Sequence, residues 1–211
     1  MGKRKIIDIQ AQKRRKNRRS IFLDDGSVFG ISEDVFFSIP VQIGDTLTDQ
    51  ELDDILVADY QQKILDFALN LLSYRMRSKV ELMHRLKRKK FNEDGIYSVM
   101  EKLETKGYID DQKFAWAFAR EKVRRKLIGP MALRSEFSVH RLDPDILEYT
   151  LKKTYDEFPE HTLMDQLLAK RRVPMNEPLD ITEKKNAVNT LRNKGFSWDR
   201  IQEILVKRGN I

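Results

Sequence analysis

Leu86-Lys-Arg-Lys-Lys-Phe91-Asn92-Glu-Asp-Gly-Ile96, Phe137-Ser-Val-His-Arg-Leu142-Asp143-Pro-Asp-Ile-Leu147 and Leu191-Arg-Asn-Lys-Gly-Phe196-Ser197-Trp-Asp-Arg-Ile201 are one phrase written three times, with its apolar positions coinciding at offsets of 51 and 105 residues. A unit this short cannot bury an apolar face alone, so the copies must stack on their neighbours. The residue after each aligned Phe or Leu is Asn92, Asp143 or Ser197, three side chains that accept a hydrogen bond from the first unpaired amides of a helix. Each copy is therefore predicted to start a helix at the same place.

A second helix start recurs about a dozen residues earlier. Ser78-Lys-Val-Glu81 reads as a capping box, Gly129-Pro130 as a permissive cap followed by proline in the first turn, and Thr182 as the third counterpart. Ahead of these lie runs with the three-and-four spacing of amphipathic helices: Ile64, Leu65, Phe67, Ala68, Leu71 and Leu72; Phe114, Ala115, Ala117 and Phe118; Leu163, Met164, Leu167 and Leu168. The expected fold is mainly α, an elongated tandem array of three three-helix modules over residues 60–110, 111–157 and 158–211.

Charge divides the rest of the chain. Residues 1–19 hold nine Lys or Arg against Asp8, and residues 20–63 hold ten acids against Lys63. The first block, with Lys3-Arg-Lys5 and Lys13-Arg-Arg-Lys-Asn-Arg-Arg19, reads as a basic flexible arm able to touch phosphate or an acidic protein. In residues 20–59, Ser20-Ile-Phe-Leu23, the turn Asp24-Asp25-Gly26 and Ser27-Val-Phe-Gly-Ile31 predict a β-hairpin. Val35-Phe-Phe-Ser-Ile-Pro-Val41 is expected to add a third short strand, and Thr48-Asp-Gln-Glu51 to open a connecting helix. This segment is expected to cap the array.

Basic residues gather where the helices of the modules end: Arg75 and Arg77; Lys87, Arg88, Lys89 and Lys90; Arg120, Arg124, Arg125 and Lys126; Arg171 and Arg172. Any one of them is accounted for by the helix dipole, worth about 0.3–1 kcal/mol. Shared by three modules, the pattern predicts a basic stripe that takes DNA phosphate or an acidic protein surface. Nothing reads bases specifically, since zinc-finger and RNA-recognition spacings are missing.

Catalytic chemistry has little foothold. The 211 residues include no cysteine, which excludes disulfides, thiolate nucleophiles and cysteine-based zinc sites. His84, His140 and His161 lack metal-ligand spacing, and there is no phosphate-cradling glycine loop or nucleophile elbow. Asp110-Asp111, between Gly107 and Gln112-Lys-Phe-Ala115, reads as capping. No apolar run reaches the roughly 18 residues of a membrane span, Ile21-Phe-Leu23 is too short for a signal-peptide core, and Ile6 stands where myristoylation needs Ser or Thr. A monomeric, cytoplasmic protein without metal, cofactor or enzymatic activity is expected.

Leu72-Ser-Tyr-Arg-Met-Arg-Ser78 with Glu81-Leu82, Leu103-Glu-Thr-Lys-Gly107-Tyr108-Ile109-Asp110-Asp111 with Lys113-Phe114-Ala115, and Gly129-Pro130 with Leu133 and Glu136 resemble the signature of the RecX family of recombination regulators. The resemblance covers about residues 60–208, and the β segment is similar to the N-terminal extension of some longer members. It implies a bacterial protein of tandem three-helix units that binds the RecA recombinase, lies along the groove of its DNA filament, and inhibits strand exchange and ATP hydrolysis. Contact with single- or double-stranded DNA would be weak and sequence-independent. The competing readings are a basic nucleic-acid-binding protein and a helical scaffold for an acidic protein, both without a recombinase partner. Lys90 and Arg141 stand where the third copy has Gly195 and where the family often has glycine, so two turns must close without it. Two prolines in Arg171-Arg-Val-Pro-Met-Asn-Glu-Pro-Leu179 predict a loop.

Overall fold

The computed structural model describes residues 2–13, 17–173 and 179–207. Arg14, Arg15 and Lys16 of the basic block, and residues 174–178 of the proline-bearing loop, lie outside the described residues. In chain order the elements are β1 (Lys3–Ala11), β2 (Arg18–Leu23), β3 (Val28–Ser32), α1 (Glu33–Ser38), β4 (Thr46–Thr48), α2 (Asp49–Tyr74), α3 (Lys79–Arg88), α4 (Glu93–Thr105), α5 (Asp111–Lys126), α6 (Pro130–Phe137), a 3-10 turn (Ser138–His140), α7 (Pro144–Glu157), α8 (Glu160–Lys170), α9 (Ile181–Asn193) and α10 (Trp198–Lys207). The protein is mainly helical with a small antiparallel sheet at its N-terminal end, as its sequence predicts.

The chain forms two compact units. The first comprises residues 1–75 and 82–108, the second residues 76–81 and 109–211, so the first turn of α3 belongs to one and the rest of α3 to the other.

In the first unit the hairpin is part of a larger sheet, ordered β3-β2-β1-β4 with every pairing antiparallel. The basic arm is thus corrected: residues 3–11 are a strand, and Arg18 and Arg19 begin the next. Ile6 is fully buried with Ile21, Leu23, Ile31 and Leu47, and its burial fixes the strand. Complementary charge completes it. Arg4 pairs with Asp25 and Asp49, Arg18 with Asp59, and Arg19 with Glu33, so the basic and acidic blocks neutralise each other in one fold.

Two further expectations fail in this region. Val35–Val41 is no strand: Ser32 caps α1 through Val35 N–H, and Val35 is buried from a helix. The limit at residue 59 falls inside α2, a 26-residue helix opened by the predicted Thr48–Glu51 capping box. Beyond the sheet, Ile64 and Ala68 of α2 are buried together with Leu86, Ile96, Val99 and Leu103, and Phe91 sets its ring edge-on to Tyr60 and Phe67.

The second unit packs α5 to α10 around Ala115, Ala119, Val123, Leu133, Phe137, Leu151, Leu167, Leu168, Leu191, Phe196 and Ile201. Gly129 N–H donates to the Lys194 carbonyl at 2.7 Å and Met131 N–H to the Gly195 carbonyl at 3.1 Å, a backbone approach with no room for a side chain at either glycine. His140 is a packed core residue here. Its Nδ1 lies 2.9 Å from the Ser78 hydroxyl, and its ring contacts Phe114 and Phe118.

The repeat is visible in the backbone. Lys90, Arg141 and Gly195, which align at the offsets of 51 and 105, all adopt the left-handed conformation, with φ of 64°, 46° and 81°. Asn92, Asp143 and Ser197 then cap α4, α7 and α10, as their alignment predicts. The third early start lies at Asp180, whose carboxylate forms a capping box with Glu183, two residues ahead of Thr182.

Candidate partner-binding surface

The basic helix ends do not form one uniform set. In the first unit Arg75 is the exposed C-cap of α2, in extended conformation. Lys87 closes α3 but is tied to Glu93 at 2.7 Å, a pair that raises the lysine pKa and lowers that of the carboxylate. Arg88, Lys89 and Lys90 are exposed, and the Lys89 ammonium lies 5.7 Å from the Phe67 ring centroid. Among the described residues these three have no carboxylate partner, so their charge faces solvent.

Arg77 leaves the set. It is 7% exposed and its guanidinium meets the Glu81 carboxylate at 2.5 Å, beside Ser78, whose hydroxyl accepts from Glu81 N–H. The helix start explains this placement: Ser78 must be buried to cap α3 and reach His140, and the preceding residue is drawn in with it. Asp110 caps α5 through Lys113 N–H, which lowers its pKa, and Asp111 accepts from Lys79 N–H. The acidic pair is capping, as its sequence context predicts.

Lys126 is spoken for as well, because Glu136 bridges it to Lys122 and both ammonium groups hold the Glu136 carboxyl below its ordinary range. Arg120 pairs with Glu157 at 2.7 Å, and Arg125 lies 3.8 Å from Glu121. Arg124 is exposed, with no carboxylate partner among the described residues. Arg171, the C-cap of α8, and Arg172, left-handed at φ 57°, are exposed and line a separate groove with Asn186, Asn189 and Asn193 of α9.

Three residues near this set escape a search for basic helix ends. Trp116 stands one turn before Arg120 and two before Arg124. The Lys153 ammonium of α7 lies 4.3 Å from the Trp116 ring centroid and 5.7 Å from that of Tyr149, and the Arg120 guanidinium 5.5 Å from Trp116. Pairing of residue 116 with 153 and of 120 with 157 keeps a constant offset of 37, as two helices running in the same direction require. The i, i+4 spacing of Trp116 with Arg120 and of Tyr149 with Lys153 was the available signal.

No group of three or more metal-binding side chains occurs among the described residues, and no described helix is long and apolar enough to cross a membrane. Left-handed turns and helix caps that recur at one spacing define a helical-repeat protein. The model of the RecX first three-helix domain matches residues 65–103. The regulatory protein RecX of Bacillus subtilis is 31% identical over 197 residues, spanning 93% of this chain and 74% of the relative. That of Listeria welshimeri is also 31% identical, over 153 residues, and the matched part spans 57% of the relative's length. A crystal structure of regulatory protein RecX superposes with a TM-score of 0.77 at 28% identity, covering 95% of this chain and 98% of the other. The chain belongs to the RecX family.

Proposed function

We propose that this chain is a non-enzymatic regulator of the RecA recombinase. It binds the RecA–DNA filament in the cytoplasm as a monomer and inhibits strand exchange and DNA-dependent ATP hydrolysis. Its relation to the B. subtilis protein named regulatory protein RecX, 31% identity across 93% of the chain, is the observation that carries this reading. The exposed cations Arg88, Lys89, Lys90, Arg124, Arg171 and Arg172, which have no carboxylate partner among the described residues, support it, because summed positive charge on helix ends favours phosphate and acidic protein surfaces. Arg75 is likewise exposed, whereas Arg77, Lys87, Arg120, Arg125 and Lys126 each face an internal carboxylate that a partner would have to displace.

The test is a RecA ATPase assay with single-stranded DNA and no other factor. The parent protein is expected to lower the rate, and the charge reversals Arg88→Glu/Lys89→Glu and Arg124→Glu/Arg125→Glu, combined, to relieve that inhibition while leaving the circular dichroism unchanged. Protein that binds DNA but leaves growing and preformed filaments untouched supports the nucleic-acid-binding reading instead.

A further inference from the structure

The groove along the outer face of α5 sets a partly exposed indole among its cations. It is open, about 550 Å³ in volume, and lined by Trp116, Ala117, Arg120, Glu121, Arg124 and Arg125. Trp116, Arg120 and Arg124 form one i, i+4, i+8 row, and Ala117, Glu121 and Arg125 the row beside it, with steps of roughly 6 Å along the axis. Ala117 is exposed and is the smallest side chain in the groove, so the floor beside the indole is low. Lys153, over the Trp116 ring, has no carboxylate partner among the described residues.

Charge and shape together select an occupant. Four cations, Arg120, Arg124, Arg125 and Lys153, face two carboxylates, Glu121 and Glu157, so the patch is net positive and attracts an anion. An acidic peptide would use the cations and has no need of the indole. A duplex presents phosphates but keeps its bases stacked inside. Single-stranded nucleic acid offers both a flat unpaired ring and flanking phosphates, the combination that cationic grooves with aromatic platforms take.

We propose that this groove binds single-stranded nucleic acid, with one base stacked on Trp116 over Ala117 and the adjoining phosphates held by Arg124, Arg125 and Lys153. The site deepens the regulator reading and rests on it for its setting, since single-stranded DNA is the strand on which a recombinase filament forms. Binding at this site needs no recombinase.

Trp116 and Trp198 are the two tryptophans of the chain, so the Trp198→Phe protein reports on Trp116 alone. Its fluorescence is followed, without recombinase, against an oligothymidylate, an abasic phosphodiester oligomer of equal length, a duplex and polyglutamate. Saturating oligothymidylate is expected to quench Trp116, and the abasic oligomer to bind more weakly without quenching. Trp116→Leu, in the otherwise native chain and followed by fluorescence anisotropy of labelled oligomers, is expected to weaken oligothymidylate binding about ten-fold and leave abasic binding unchanged. The inference is overturned if oligothymidylate saturates without quenching, if Trp116→Leu weakens both oligomers equally, or if duplex or polyglutamate binds as tightly and quenches as much. Recombinase inhibition is measured in parallel. Quenching by oligothymidylate in a parent protein that does not inhibit would overturn the regulator reading while supporting this one, and inhibition without quenching the reverse.

Discussion

Arg18 and Asp59 face each other as a two-pronged ion pair, with Nη1 donating to Oδ1 at 3.2 Å and Nη2 to Oδ2 at 3.0 Å. Asp59 is 2% exposed and also accepts from Ser32 N–H at 2.7 Å, while Lys63 closes on it from one turn along α2. Burial pushes the Asp59 carboxyl pKa up, but the hydrogen bonds from Arg18, Lys63 and Ser32 outweigh that and leave it lowered. One carboxylate therefore fastens β2 and β3 to the middle of the longest described helix.

Asp59→Ala is expected to destabilise the protein by about 3 kcal/mol, because it leaves the Arg18 guanidinium and the Ser32 N–H without their partner in a dry site. Urea denaturation followed by circular dichroism measures this. Deleting residues 2–19 is expected to remove β1 and the start of β2 and to expose Ile21 and Leu47, so the truncated protein loses the unfolding transition of the first unit. A truncated chain with the parent's stability would mean that the N-terminal strand adds nothing to the fold.

That pair also marks where sequence reading stops. The helix starts were legible because capping is local: Thr48, Asn92, Asp110 and Asp143 each reach amides two or three residues ahead. The strand β1 was not, since Lys3, Arg4 and Lys5 look like a solvated arm until the fold brings Asp25 and Asp49 to Arg4. Phe36 and Phe37 suggested a strand, but Ser32 capping turned Glu33–Ser38 into a helix. In the candidate surface the exposed helix ends were legible from their spacing. The burial of Arg77 was not, because it depends on Ser78 meeting His140, 62 residues away. Trp116 was hidden by its neighbours: Phe114, Ala115 and Phe118 made the whole run read as core.

Two glycines with the same backbone twist should respond very differently to alanine. Gly107 has φ of 71° and open space around its missing Cβ, whereas Gly195 has φ of 81° and would place a Cβ 2.3 Å from the Ala132 nitrogen. Gly107→Ala is expected to cost about 1–2 kcal/mol, the left-handed penalty alone. Gly195→Ala adds a clash with backbone that cannot rotate away, bringing the loss to about 3–4 kcal/mol. Equal midpoints for the two variants would refute the close approach of the Gly129 and Gly195 segments.

Lys90 and Arg141 hold the same left-handed turn with side chains that disfavour it. Lys90→Gly and Arg141→Gly are each expected to stabilise the protein by about 1 kcal/mol, relieving the contact between Cβ and the following carbonyl. The Lys90 variant separates stability from binding. Its thermal midpoint should rise while its attachment to a RecA–DNA filament weakens, because one exposed cation is removed from the helix end. A rise in both would assign Lys90 to turn geometry alone.

Glu136 and Glu160, in the same unit, should show opposite dependence on pH. Lys122 and Lys126 lower the Glu136 carboxyl below its ordinary 4.5, so its contribution is fully present above that value and is lost as pH falls through the lower folded value. Burial raises the Glu160 carboxyl, with Arg200 at 3.7 Å opposing that and Glu203 adding to it. Its contribution is present below pH 4.5 and is lost as pH rises through the higher folded value. Relative to the parent, Glu136→Gln should therefore become less stable as pH rises from 3 to 7, by about 1 kcal/mol or less given its partial exposure. Glu160→Gln should become more stable relative to the parent over the same range. Chemical denaturation of both variants across that range measures the two slopes, and slopes of the same sign would contradict the assigned environments.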